Sequence, residues 1–292
     1  MRKVTCINNM GATAVFSQDA FNPWFLVDIT GVYSIENNVY ISENTMSDGG
    51  TYQGSTAKVK DISITVIDKA ENVYNKENRD VLYSLFPKDT EGTLKFEEDG
   101  RVRVANYYVE YVRPVKYGTQ MYTINLRMTD PFFYGEEAES KWMAAWTSKF
   151  VFVHYFKAEG EPIGEREALK IQNIVNETGA DNIGLTITIT AIGAVRNPSI
   201  TRVESNESLT IGSAAKPLEL VVGDSIVITT GDNNKHVYLY RENVAENINH
   251  YLTEDSEFFQ IMRGNNNIGY SAEDGDDNMV VRLSYRMKYR AV

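Results

Sequence analysis

Short segments in which apolar and polar side chains alternate recur along the chain, and they constrain its fold more than any other feature. This alternation is typical of a half-buried β-strand. In the second half the segments recur about every ten residues, with Gly, Asn and Pro between them, which predicts a β-sandwich or jelly roll. They cover residues 168–172, 184–190, 199–203, 208–211, 225–229, 236–240 and 281–290.

The first half is predicted to be built from strands joined by tight turns. Asn8 to Gly11 and the pair Asp99-Gly100 are turn sequences, because Asn, Asp and Gly tolerate positive φ. The strands predicted around them cover residues 2–7, 12–16, 25–29, 59–67 and 96–104.

Two segments of the first half depart from this pattern. Asn78 is placed to cap a helix over residues 79–86 that ends at Pro87 and packs over the open face of a sheet. Residues 46–57 are poor in apolar side chains and are predicted to form a long loop.

A domain boundary is predicted near the middle of the chain. The alternating segment 122–128 is followed by Asp130-Pro131, and proline has no N–H to donate to a strand ladder. Three aromatic residues and a charged run over residues 136–141 come next. Because 292 residues exceed what one core needs, we expect domains at residues 1–135 and 136–292.

The charge of the chain is unevenly distributed. Residues 1–135 hold 14 bases and 17 acids, residues 136–278 hold 11 and 23, and residues 279–292 hold four bases and no acid. An acidic second domain repels nucleic acid and anionic lipid, so neither is expected as a partner. We expect no secretory signal after Met1, and no membrane insertion, because no apolar run approaches about 18 residues.

The sequence contains no pattern that marks a catalytic, cofactor-binding or metal site. The three histidines, His154, His236 and His250, stand outside any zinc-binding motif, and Cys6 has no second cysteine to pair with. Nucleotide-binding glycine loops and the Gly-x-Ser-x-Gly elbow are missing. The prediction is therefore no catalytic residue, no cofactor and no metal, with Cys6 as a small buried hydrophobe.

Two clusters have both a structural and a functional interpretation. The acids of residues 273–278 could offer oxygen ligands to Ca²⁺, but a solvated turn between two strands is favoured, because the Ca²⁺-loop pattern is incomplete. Trp142 and Trp146 could stack on a sugar, but packing at the seam between the domains is favoured.

Several short segments, which follow one another along nearly the whole chain, make it resemble the distal tail protein family of long-tailed, mostly siphovirus-type phages. Asp130-Pro-Phe-Phe-Tyr134 is one of them, and the others cover residues 23–31, 48–50, 79–86, 91–96, 258–266 and 281–289. The resemblance implies a mainly β protein with an N-terminal β-sandwich or barrel-like ring domain carrying one short helix. It also implies a C-terminal galectin-like β-sandwich, and an arm-like excursion at residues 46–57 through which subunits of the ring meet.

This resemblance implies a structural virion protein of the tail tip or baseplate, and not an enzyme. The first domain would close head-to-tail into a ring, of six copies by family resemblance, between the tail tube protein and the tail-tip hub. The second domain would anchor peripheral receptor-binding proteins. Assembly would take place in the host cytoplasm, and the protein would end in the virion.

Two alternatives remain open at the level of sequence. A carbohydrate-binding module acting in adsorption to the host surface needs an aromatic-lined polar groove on the second sandwich. The loops there lack the His-Asn-Arg cluster, followed by Trp and Glu, of sugar-binding galectins. A tail-associated hydrolase would need a catalytic constellation. Glycan-array binding favours the module, and ring formation favours the scaffold.

Overall fold

The computed structural model describes residues 1–44, 46, 48–69, 76–116, 119–148, 164–177 and 182–292. Within these residues the chain forms 24 β-strands and one α-helix, which confirms the mainly β fold. It divides into two compact units, Met1–Glu136 together with Lys288–Val292, and Glu137–Met287. In chain order, the second unit is therefore inserted near the C-terminal end of the first.

The first unit is built on a closed barrel of seven strands. These strands are β1 (Arg2–Ile7), β2 (Thr13–Ser17), β3 (Trp24–Thr30), β6 (Lys60–Asp68), β7 (Gly92–Glu98), β8 (Arg101–Pro114) and β9 (Met121–Met128). Their order around the barrel is β8-β7-β1-β2-β3-β6-β9, and β9 pairs again with β8. Strand β8 closes the ring because it is long enough to pair with β7 through its first half and with β9 through its second.

The barrel is filled by the inward side chains of its alternating strands. Ile62, Ile64 and Val66 of β6 are fully buried, as are Ile124 and Leu126 on the neighbouring β9. The apolar and polar alternation that predicted the strands therefore separates core side chains from outward ones.

The single helix among the described residues, α1 (Lys76–Leu85), packs against this core. Leu82 and Phe86 are buried, and the Phe86 ring stacks on Phe16 with 6.3 Å between centroids. The helix is confirmed, but its predicted cap is wrong, because α1 begins before Asn78. The Asn78 amide instead donates to the Asp68 carboxylate at 3.1 and 3.2 Å.

Both predicted turns of the first unit are confirmed. The Asn8 side-chain oxygen accepts hydrogen bonds from the backbone N–H groups of Met10 (3.0 Å) and Ala12 (2.9 Å), which fixes the β1–β2 turn. Asp99 and Gly100 have φ of 50° and 79°, the left-handed pair that joins β7 to β8.

The C-terminal residues of the chain extend the sheet of the first unit. Strand β10 (Phe133–Gly135) pairs with β8, and β24 (Lys288–Tyr289) pairs with β10. The prediction of one strand over residues 281–290 is therefore wrong. The first part of this segment belongs to β23 (Met279–Tyr285) of the second unit. Strict alternation would bury Met287, but the pattern of buried and exposed residues shifts by one position after Tyr285, and Lys288 is buried instead.

The second unit contains two antiparallel sheets that share one core, which is the predicted β-sandwich. The six-stranded sheet has the order β11-β23-β15-β19-β20-β21, and in the other sheet the order is β14-β22-β16-β17, with β18 paired to β16. The strands are β11 (Glu139–Trp142), β14 (Ile171–Asn176), β15 (Leu185–Ala191), β16 (Val195–Arg202), β17 (Glu207–Thr210), β18 (Glu219–Leu220), β19 (Ser225–Gly231), β20 (Asn234–Arg241), β21 (Val244–Asn247) and β22 (Gly264–Asp274). A separate pair is formed by β12 (Ala144–Ser148) and β13 (Gly164–Ala168).

The sequence predictions for the second unit missed its longest strand, β22. The strand opens with consecutive asparagines, which hide the alternation, and Asn266 among them is buried. The Asn266 side-chain oxygen accepts from Met262 N at 2.8 Å, and its NH₂ group donates to Met262 O at 2.8 Å and to Gly264 O at 3.1 Å. A buried asparagine can therefore occupy a core strand when its side-chain donors and acceptor all have hydrogen-bond partners.

Candidate interaction surface

A β-hairpin leaves the barrel of the first unit without joining its sheet. Its strands, β4 (Asn37–Glu43) and β5 (Gly50–Ala57), form a two-stranded antiparallel sheet of their own. The prediction of a loop over residues 46–57 is thus wrong for β5; residue 47 lies outside the described residues. The segment is poor in apolar side chains because it faces no core, while its Thr, Tyr and Ser residues suit a strand.

This hairpin, called the arm below, exposes large apolar side chains. Val39, Tyr40, Ile41 and Tyr52 are each more than half exposed. Cross-strand contacts hold the arm, including one of 3.2 Å between the hydroxyls of Tyr40 and Thr56. Exposed apolar side chains concentrated on one projecting element are typical of an interaction site.

A cleft that is open to solvent lies at the base of the arm. Its apolar lining comes from the arm and its flanks and from the segment after β9, through Ile35, Ala57, Val59, Pro131 and Phe132. The cleft is therefore bordered by the same strands that carry the arm away from the barrel.

Both acidic side chains of the cleft form ion pairs, whereas the Lys60 ammonium contacts neutral groups. Glu36 pairs with Lys58 at 2.9 Å, and the Asp61 carboxylate accepts from Arg127 at 2.8 and 3.1 Å, which lowers the pKa of Asp61. Lys60 is only 7% exposed, and burial lowers its pKa to about 8.

The contacts of the Lys60 ammonium are to neutral groups. It donates to the main-chain oxygen of Arg290 at 2.5 Å and lies 4.8 Å from the centroid of the Phe133 ring. The Lys60 ammonium therefore contributes a positive charge to the wall of the cleft.

The residues singled out in the sequence are not brought together into one site. Cys6 is buried in the barrel core, and burial raises the pKa of its thiol. His236 lies on β20 and His250 in a short 3₁₀ turn, while His154 falls outside the described residues. Among the residues that the structure describes, no group of three or more His, Cys, Asp or Glu side chains could hold a metal ion.

Residues 275–278 of the acidic segment form the predicted turn between β22 and β23, and Glu273 and Asp274 are the last residues of β22. Gly275 has φ of 76°, and Asp276 pairs with Lys170 at 2.5 Å. The carboxylate of Asp276 therefore faces a lysine ammonium in this turn.

Trp142 lies on the edge strand β11 and is 54% exposed, with the Arg282 guanidinium 5.4 Å from its ring. The side chain of Trp146 is outside what the structure describes. Sugar stacking and packing at a domain seam therefore both stay predictions. In the described part of the chain, no helix is long and apolar enough to span a membrane.

Among the comparisons with known proteins, a family model matches most of the second unit. The family model of the siphovirus-type tail component, C-terminal domain, matches residues 178–289. No curated protein matches the chain.

Solved structures match over the whole chain. The Dit protein (gp 19.1) of phage SPP1, described as a paradigm of the hub adsorption apparatus in phages that infect Gram-positive bacteria, is 12% identical with a TM-score of 0.67. That match covers 98% of this chain and 99% of the SPP1 chain. A chain of the phage P2 baseplate in its activated conformation with Ca is 11% identical with a TM-score of 0.57, and both chains are covered completely. The same baseplate with Sr gives 11% identity, a TM-score of 0.55 and the same coverage.

These matches confirm the resemblance that the sequence carries. Residues 178–289 match the C-terminal domain of the siphovirus-type tail component family, and the chain as a whole shares the fold of the SPP1 Dit protein.

Proposed function

We propose that the chain is a non-enzymatic structural protein of a phage tail tip or baseplate, whose first unit closes head-to-tail into a ring of six copies. The observation that carries the proposal is the arm, an exposed apolar hairpin on a closed barrel, in a chain whose fold matches Dit and baseplate proteins over its full length. A closed barrel has few free edges, so an arm gives one subunit a way to reach the next.

The arm is poorly suited to stand alone. A two-stranded hairpin without a core is marginally stable in water. Burying an exposed side chain such as Ile41 or Tyr52 against a neighbour contributes about 1.5–3 kcal/mol when burial is complete. Because the arm and the surface that receives it are different parts of the subunit, the contact is heterologous and can close into a ring.

The remaining parts of the proposal concern partners and place. One side of the ring stacks on the tail tube protein and the other on the tail-tip hub. The second unit anchors receptor-binding proteins, and its acidic character, with 23 acids against 11 bases in residues 136–278, disfavours nucleic acid and anionic membranes. The ring assembles in the host cytoplasm and ends at the tail tip of the virion.

The experiment that tests the ring removes the arm and leaves the barrel intact. Asn37 and Ala57 face each other at the base of the arm, so residues 38–56 can be replaced by an Asn-Gly turn. Light scattering on the full-length chain is expected to give six times the 33.0 kDa protomer mass, and the arm-less variant is expected to stay monomeric.

The matched control is Met10→Ser, which removes another exposed apolar side chain, 73% exposed on the β1–β2 turn, and should assemble normally. Circular dichroism should show that both variants stay folded. A full-length chain that is strictly monomeric at about 50 μM, well above typical assembly affinities, would overturn the proposed ring.

A further inference from the structure

The turn between β2 and β3 presents one aromatic side chain to solvent. Phe21 is 95% exposed, the largest exposed fraction of any aromatic side chain described. Its backbone N–H donates to Asp19 Oδ1 at 3.0 Å. The Asn22 amide donates to Val15 O at 3.0 Å and Ser17 Oγ at 2.9 Å, which ties the turn to the barrel.

A lysine fixes the same turn from the other side. Lys69 Nζ donates to Asp19 O at 3.2 Å and Ala20 O at 2.9 Å, and it lies 4.4 Å from the centroid of the Phe25 ring. Phe21 therefore projects from a turn whose backbone is already ordered. A pre-ordered aromatic loses little conformational entropy on binding, which is the property of an interface anchor.

The cleft at the base of the arm lies at the other end of the same strand. Phe21 precedes β3, while the residues of the cleft that include Ile35 follow it. Strand β3 runs from Trp24 to Thr30, about 20 Å at roughly 3.3 Å per residue. Phe21 therefore lies too far from the cleft of its own chain to fill it, so a contact between Phe21 and this cleft has to join two copies.

The turn and the cleft have complementary chemistry. The turn offers an apolar ring beside the exposed carboxylate of Asp19. The cleft offers apolar walls from Val59 and Phe132 beside the ammonium of Lys60, while the acids of the cleft, Glu36 and Asp61, already pair with bases.

We propose that Phe21 of one copy inserts into the cleft of the next copy, with Asp19 beside it facing Lys60. This contact rests on the proposed ring and specifies a second attachment besides the arm. It is heterologous, because turn and cleft lie on different parts of the subunit, so it repeats around a closed assembly.

Photo-crosslinking of the full-length chain tests the contact directly. Benzoylphenylalanine replaces Phe21, the mass of the assembly is measured by light scattering, and adducts are mapped by mass spectrometry after irradiation. We expect adducts between two copies that join position 21 to residues 57–61 or 131–132. An assembly that forms but gives no adduct, or adducts elsewhere, overturns this contact and leaves the ring standing. A wild-type chain that does not assemble overturns both.

Two substitutions, with Met10→Ala as a control, add a quantitative test. Phe21→Ala should raise the concentration at half assembly at least about tenfold, whereas Met10→Ala, an equally simple truncation of an exposed side chain, should change it less than about twofold. Asp19→Asn keeps the oxygen that accepts from Phe21 N–H but removes the charge, so it should weaken assembly at low salt and reduce its salt dependence. Equal effects of Phe21→Ala and Met10→Ala would also overturn the contact.

Discussion

Lys60 donates a hydrogen bond across 2.5 Å to the main-chain carbonyl oxygen of Arg290, although the two residues are 230 positions apart. The contact lies within the first unit, because residues 288–292 return to it after the second unit is complete. Val292 N also donates to Val32 O at 3.3 Å. The last residues of the chain thus act as structural parts of the barrel unit.

Deleting residues 288–292 should destabilise the first unit and leave the second folded. The deletion removes β24, the Lys288 ammonium 3.8 Å from the Phe132 ring and the Tyr289 ring 3.6 Å from the Arg103 guanidinium. At about 0.5–2 kcal/mol for each of these two cation–π contacts, we expect a loss of about 1–4 kcal/mol. Hydrogen exchange resolved by peptide separates the two units.

The control for this deletion is Arg290→Ala, which keeps the main-chain oxygen that Lys60 binds and should have a smaller effect. Lys288→Ala should be costly, because Lys288 is buried. Unchanged exchange in the barrel strands after the deletion would contradict the assignment of β24.

The stability of the first unit should rise with pH above about 8 through Lys60. Burial lowers the pKa of Lys60 from 10.5 to about 8, so below pH 8 the folded and unfolded chains both carry its proton. Between about pH 8 and 10.5 the unfolded chain binds the proton and the folded chain does not, and the free energy of unfolding therefore rises. We expect a gain on the order of 1–3 kcal/mol.

Urea unfolding of the wild type and Lys60→Met at pH 7 and pH 10 measures this effect. Other titrating groups, such as the buried Cys6 thiol, cancel in the difference between the two proteins. A difference that does not change with pH would show that Lys60 keeps the same pKa in both states.

Gly31 should be irreplaceable, whereas Gly11 should tolerate alanine. Both have positive φ, +89° and +81°, but a Cβ on Gly31 would lie 2.1 Å from the main-chain oxygen of Asp61, and one on Gly11 would meet nothing within 4 Å. We expect Gly31→Ala to cost about 2–5 kcal/mol and Gly11→Ala about 1–2 kcal/mol. Thermal unfolding of the two variants, compared side by side, measures the contrast, and equal losses would contradict the close approach.

Local features of this fold could be read from sequence because they depend on neighbouring residues. The turns at Asn8 and Asp99 follow from residues that accept positive φ, and the strand ending at Met128 follows from alternation stopped by Pro131. The closure of the barrel could not be predicted. It depends on β8 pairing with two strands at once, and an alternating pattern tells which face is buried without naming the partner strand.

The surfaces proposed to act in assembly were the least predictable part. Residues 46–57 of the arm were predicted to be a loop, because a strand that packs on no core does not alternate apolar and polar side chains. The Phe21 turn gave no signal, since one aromatic between Ala20 and Asn22 is common in any sequence. Alternation along residues 281–290 continues across a change of unit, and no turn residue marks the break after Tyr285.

In the second unit, Asp224 should be the acid most sensitive to substitution. It is 3% exposed and accepts from Arg241 Nη2 at 2.6 Å, from Arg241 Nε at 3.1 Å and from Val221 N at 3.0 Å. Asp224→Ala leaves the guanidinium and the N–H without this acceptor, and we expect a loss of about 2–3 kcal/mol. Asp224→Asn keeps an oxygen for Val221 and should lose less.

Protonation of the Asp224 carboxylate should lower the stability of the second unit in acid. Its hydrogen bonds to Arg241 lower the pKa of Asp224 below 3.8, so its contribution is complete above pH 3.8 and disappears as pH falls through the pKa of the folded chain. Urea unfolding at pH 7 and pH 3 should therefore show that the advantage of wild type over Asp224→Asn is smaller in acid. Glu97→Gln, at the half-exposed pair with Lys3, is the control and should behave as wild type. If Asp224→Asn and Glu97→Gln prove equally mild at pH 7, the Arg241 pair contributes no more than an ordinary surface contact.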